Sequence, residues 1–205
     1  MEKLVNFLLH LLFKFPMQLK QLGKITLTIS LYAFGLYQTT YDNIVLAAEE
    51  YQLKAVFVYN FTKGFITWPK TVFSNEHSPL RICVLGEDPF GPTIDEVVKG
   101  QTTRENRTLI VERLENTSHL GGCQIVFVSR SEQSQVKEML TEIKHSPILT
   151  ISDIEGFAQQ GGMIEFFMLQ DKVKLAINSC ILENSGLKAN ANLLNLSKLI
   201  RTCQE

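Results

Sequence analysis

The sequence predicts an α/β fold, with a mostly parallel sheet and an antiparallel hairpin at its edge. Three observations carry that prediction. Two apolar runs, 80–86 (LRICVLG) and 122–129 (GCQIVFVS), have the length, β-branched content and bounding glycines of buried strands, and a helix-like segment follows each. Strands alternating with helices place parallel strands side by side in an open sheet. Finally, the runs 163–169 and 172–178 are separated only by Gln170 and Asp171, which reads as a hairpin. In its second arm Val173, Leu175 and Ile177 alternate with Lys172, Lys174 and Ala176. One face is dry and the other wet, as in an antiparallel strand near a sheet edge.

Length and charge fit one globular domain behind a leader. The chain has 205 residues, 45% of them hydrophobic, which is enough for a sizeable core. After residue 47 there are sixteen Lys and Arg against nineteen Asp and Glu, a net charge of −3, so nothing electrostatic favours nucleic acid. Residues 1–47 read as a secretory leader. Lys20 and Lys24 precede an uncharged run over 25–36, and Val45-Leu46-Ala47 supplies the small-residue cleavage pattern before Glu49 and Glu50. Pro16 ahead of Met17 suggests that translation starts at Met17. The alternative is an uncleaved N-terminal anchor, because 37–46 is long for the segment before a cleavage site. Against it, the apolar run is short for a membrane span. On either reading residues 48–205 form an exported single domain.

Export changes how the four cysteines read. In an exported domain, Cys83, Cys123, Cys180 and Cys203 suggest disulfides rather than a metal site or a catalytic thiol. If Cys83 and Cys123 meet across their two strands, the centre of the sheet is stapled. None of the four has C-x-x-C spacing, and His77, His119 and His145 are scattered, so no zinc site is expected.

The elements follow in order. A helix is expected over 50–66, ended by Trp68 before Pro69. Leu53, Val56, Phe57, Phe61 and Phe65 form its apolar stripe, and Tyr51, Ala55, Val58 and Tyr59 widen it, leaving Lys54, Thr62 and Lys63 polar. So wide an apolar surface suits burial on two sides, either as a central core helix or as one shared with a second copy or a partner. Asn60, among the apolar positions, is expected to bond backbone across a junction. Gly86 and Gly91 bracket Glu87 and Asp88 after the first cysteine strand. Without G-x-G-x-x-G or Gly-Lys-Ser/Thr, they read as turn residues rather than a phosphate loop. Short helices are expected over 94–98 and 153–160, the latter capped or led by Asp153 with Phe157 facing in. An amphipathic helix over 131–144 turns Val136, Met139, Leu140 and Ile143 inward. Strands are expected over 108–114 and 147–152. The last helix, 190–203, points Leu193, Leu196 and Ile200 inward. Gly161-Gly162 permits a sharp reversal.

No catalytic signature emerges. Gly-x-Ser-x-Gly, His-Glu-x-x-His and paired carboxylates are absent from the sequence. Asp153 and Glu155 follow a strand, where α/β active sites occur, but capping accounts for Asp153. The reading is therefore a protein that is not an enzyme and calls for no cofactor or metal.

Taken in order, 50–63 (EYQLKAVFVYNFTK) with Trp68-Pro69, 83–91 (CVLGEDPFG), 147–153 (PILTISD), Phe157 with 161–164 (GGMI), Ile177-Asn178, and Gly186-Leu187 with Leu193-Leu194 resemble the YfiR/HmsC family of exported bacterial proteins. The resemblance covers essentially all of 48–205. It implies a three-layer α/β/α sandwich that tends to dimerise. It also implies a periplasmic regulator that binds the periplasmic domain of an inner-membrane diguanylate cyclase and holds it inactive, lowering cyclic di-GMP and restraining biofilm formation. The family's disulfide maps onto Cys83 and Cys123. Some relatives carry a second pair around the Gly-Gly-Met-Ile segment, which has no counterpart here. Cys180 and Cys203, both in the C-terminal elements, form a candidate pair that the family pattern does not require. A different class of function, a periplasmic small-ligand sensor, would bind a metabolite beyond the strand ends, with Tyr59, Trp68 and Phe157 lining the pocket. Tyr51, Val58, Tyr59, Asn60, Trp68 and Phe157 are thus the candidate partner- or ligand-binding residues.

Overall fold

Ile125–Val128 and Leu149–Ser152 are buried at every position, the burial pattern of strands covered on both faces. They are β4 and β5 in a computed structural model that describes residues 46–203. The expected leader, with its start at Met17, lies outside the described residues except for 46 and 47, which open the first helix.

The main sheet has seven strands in the order β3-β2-β4-β5-β6-β7-β9. The remaining strands of this sheet are β2 (Leu80–Leu85), β3 (Leu109–Leu114), β6 (Ile164–Leu169), β7 (Lys172–Asn178) and β9 (Lys198–Ile200). Every neighbouring pair is parallel except β6 and β7. A small antiparallel pair joins β1 (Ile66–Thr67) to β8 (Lys188–Ala189). Helices α1 (46–60), α2 (Thr93–Val98), α3 (Val136–Glu142), α4 (Ser179–Asn184) and α5 (Ala191–Asn195) complete the chain. The sheet is mostly parallel, with one antiparallel pair and helices on both sides, and the fold class is α/β.

Alternation along the strands builds two cores. Ile82, Val84, Ile125, Phe127, Leu149 and Ile151 face Ala55 and Val58 of α1, Phe61 just past its end, and Ile94 and Val98 of α2. The intervening residues Cys83, Leu85, Val126 and Val128 face Val136 and Met139 of α3, with Phe157. Cys83 is bonded to Cys123 on this second side, its Cα 6.0 Å away. The staple lies inside a core.

The hairpin has the register Leu169↔Lys172, with Gln170 and Asp171 both at positive φ (50° and 56°), as a two-residue turn with matching twist requires. Its place differs from expectation. β7 is not the edge, because β9 pairs with its outer side. The expected helix over 190–203 is correspondingly cut short. Asn190 caps α5 by accepting from Leu193 N, the helix ends at Asn195, and 198–200 becomes strand. Ladder bonds to an otherwise open edge outweigh helical propensity here. Leu196, expected inward, is consequently exposed. Cys203, just past β9, is bonded to Cys180 on α4.

Two other helices are shorter than expected. Residues 153–160 form turns, led by the Ser152 hydroxyl accepting from Ile154 N rather than by Asp153. The segment 131–144 opens with a 3-10 turn, so α3 proper spans only Val136–Glu142. Helix α1 ends in a wide turn at Phe61–Phe65, where Gly64 takes a φ of 102° that side chains rarely adopt. At Gly162 the constraint is space. A Cβ there would come within 2.2 Å of the Phe157 ring.

Candidate functional site

The face of α1 turned to the sheet is set by Tyr51, Lys54, Ala55, Val58, Phe61 and Thr62, the spacing of one side of a helix. One of these is a lysine. Lys54, read from the sequence as one of the few polar positions of this helix, is 1% exposed. A buried ammonium needs partners, since desolvating an unpaired charge is prohibitive. Glu50, one turn earlier, forms an ion pair with it, and Asp153 Oδ2 lies 2.6 Å from its Nζ. Asp153 stands immediately after β5, so the pair locks α1 to the end of a central strand.

Further groups complete the cluster. The Tyr51 hydroxyl donates to the same Asp153 oxygen at 2.7 Å, and the Lys54 Nζ sits 4.2 Å from the Tyr51 ring centroid. Burial, then the hydrogen bond to the Asp153 carboxylate, hold the Tyr51 phenol well above its ordinary pKa. Arg130, two residues past the end of β4, reaches Asp153 Oδ2 at 3.2 Å while remaining 64% exposed. Two cations thus balance two carboxylates. Asp153 Oδ1 is buried and has no hydrogen-bond partner among the described residues. Arg130 and Asp153 mark the carboxyl ends of neighbouring parallel strands, where open α/β sheets hold ligands. A cleft of about 540 Å³ opens there, bordered also by Glu165, Phe167 and Lys198. Glu165 shapes its floor by accepting from Gly156 N and Ala158 N.

The outward side of α1 is apolar too. Leu53 and Val56, three residues apart, are 43% and 38% exposed. They belong to the apolar surface expected to be buried on two sides, and here form the side turned away from the sheet. The sheet-facing side instead carries Lys54 with Ala55 and Val58, and Asp153 meets the lysine there.

The residues singled out from the sequence fall in separate places. Tyr51 belongs to the charged cluster. Val58, proposed as a binding position, is fully buried against the sheet and offers no surface. Phe157 is also fully buried, in the core on the opposite face from α1. Its ring fills the space left by Gly162, so it lines no pocket shared with Tyr59 and Trp68. The Tyr59 hydroxyl donates to Gln101 Oε1 at 2.9 Å. Trp68 packs on the α1 side, its Nε1 donating to the Gln124 carbonyl at 3.2 Å. Asn60 makes no side-chain hydrogen bond among the described residues. The junction bond expected of it comes from Asn190, whose Nδ2 donates to Gly64 O at 3.0 Å. Sequence reasoning missed Lys54 and Arg130 as site residues. The available signal was Glu50 at i−4 to a lysine flanked by inward positions.

Among the described residues, no three His, Cys, Asp or Glu side chains are placed to hold a metal ion, and no helix is long and apolar enough to cross a membrane. The arrangement is that of a disulfide-stapled α/β domain whose first helix is ion-paired to the sheet. The YfiR/HmsC-like family model matches residues 51–198, and the chain belongs to that family. No curated protein matches it. A solved structure described as the ABC domain in complex with L-Trp from Streptococcus pneumonia is similar at 12% identity and a TM-score of 0.44. The match covers 59% of this chain, which spans only 55% of the other.

Proposed function

We propose that this protein is a periplasmic regulator that binds the periplasmic domain of an inner-membrane diguanylate cyclase and represses it. Cyclic di-GMP and biofilm formation would fall in consequence. Family membership over 51–198 supports the regulatory reading, and the two disulfides fit an oxidising compartment. The observation that carries it furthest is the outer face of α1, where Leu53 and Val56 are exposed on a helix whose other face is ion-paired in place. Aliphatic side chains on a rigid helix suit a partner surface. A homodimer through the same face is the competing use, and the two uses would exclude each other.

Binding of the purified protein to the cyclase's periplasmic domain is the test. Leu53→Glu and Val56→Glu each place a charge on the outer face of α1, outside the buried cores, and circular dichroism of each variant checks that it is folded. Capture of the cyclase domain should fall at least about tenfold. Undiminished capture by both variants would remove α1 as the interface. A small-ligand sensor remains the second reading, its site now the cleft beside Arg130 and Asp153 rather than a pocket at Phe157.

A further inference from the structure

A cavity of about 210 Å³ lies between the end of α3 and α4. Leu140, Ile143, Met163 and Ile181 supply the apolar part of its wall, beside the uncharged polar side chains of Thr141, Gln160 and Asn184. Its charged groups are all cationic or basic. Lys137, Lys144 and His145 border it, and no Asp or Glu is among the lining residues. Neither lysine forms an ion pair among the described residues. Two hydroxyls lie deeper. Ser185, 5% exposed, makes no side-chain hydrogen bond among the described residues. Thr150, 1% exposed, accepts from Met163 N, which leaves its own O–H to donate.

Unpaired cations at a rim, donors at the base and aliphatic walls between them define a ligand by complementarity. Such a ligand carries negative charge at one end and a compact apolar body. The volume is below the roughly 300 Å³ at which pockets for drug-sized ligands begin, which limits the body to about one ring or a short chain. We propose that this cavity binds a small organic monoanion, a monocarboxylic acid being the simplest class. The site shares no lining residue with the exposed Leu53 and Val56 of α1. Its α4 wall carries Cys180, which the bond to Cys203 holds to the end of β9.

The probe is benzoate, titrated into the purified protein with both disulfides formed, and followed by NMR at the Met163 and Ile181 methyl groups. The expected result is saturable shifts at both methyls, with neutral benzamide at least about tenfold weaker. Lys137→Glu with Lys144→Glu, both exposed and so compatible with folding, should weaken benzoate by about tenfold or more. Absence of saturable shifts, equal binding of benzamide, or undiminished binding by the double variant would each overturn the proposal.

Discussion

Replacing Lys54 with methionine keeps a straight side chain of similar length and deletes one charge from a site that is almost wholly buried. The Asp153 side chain, 2% exposed, then loses the ammonium 2.6 Å from its Oδ2 and keeps only Tyr51 and the exposed Arg130. Breaking a buried ion pair by removing one member costs about 3–5 kcal/mol. Arg130, 64% exposed and already in contact with Asp153, partly compensates the carboxylate, which places the expected loss near the lower end, about 3 kcal/mol. For a domain of this size that corresponds to a Tm lower by roughly 6–12 °C. Urea unfolding under non-reducing conditions, followed by fluorescence of the single tryptophan, Trp68, measures it directly. Adding Asp153→Leu should then cost less than the two single changes summed, by more than about 1 kcal/mol, because the orphaned carboxylate is gone. A loss below about 1 kcal/mol for Lys54→Met, or strict additivity in the double variant, would refute the buried pair as the link between α1 and the sheet.

The two disulfides should contribute comparably by the loop-entropy model. Cys83 and Cys123 are 40 residues apart and Cys180 and Cys203 are 23 apart, which predicts about 4 and 3.5 kcal/mol respectively. Accessibility should separate them. Cys83–Cys123 is enclosed in a core, whereas Cys203 is exposed, so mild reductant followed by mass spectrometry should open Cys180–Cys203 first. The Tyr51 phenol makes a prediction at alkaline pH. Its folded pKa is raised above the unfolded value, so the stability it contributes is fully present below about pH 10 and is lost as pH climbs above that. The ultraviolet difference titration between wild type and Tyr51→Phe should show no phenolate forming near pH 10 while the protein stays folded, and Tyr51→Phe should unfold less steeply above it.

Much of this fold was legible because its strands are apolar on both faces and its turns use residues with few alternatives. The runs around Cys83 and Cys123, the Gln170-Asp171 hairpin and the reversal at Gly161-Gly162 all occur where the sequence places them. What was illegible depends on contacts distant in sequence. Lys54 is inward only because Asp153, 99 residues later, meets it. Lys54 shares the sheet-facing side with Ala55 and Val58, which leaves Leu53 and Val56 outside. Similarly, 198–200 is strand because β7 presents an open edge, a fact that no local window contains. Phe157 read correctly as facing in, but its partner is the bare backbone of Gly162 rather than a ligand.

The central claim, repression of a cyclase, is tested most directly by measuring cyclic di-GMP in four strains. These are wild type, a deletion of this gene, a deletion of the membrane-bound diguanylate cyclase, and the double deletion. The account predicts that removing this protein raises cyclic di-GMP when the cyclase is present and changes nothing when it is absent. An unchanged level in the single deletion, or an equal rise without the cyclase, would contradict it.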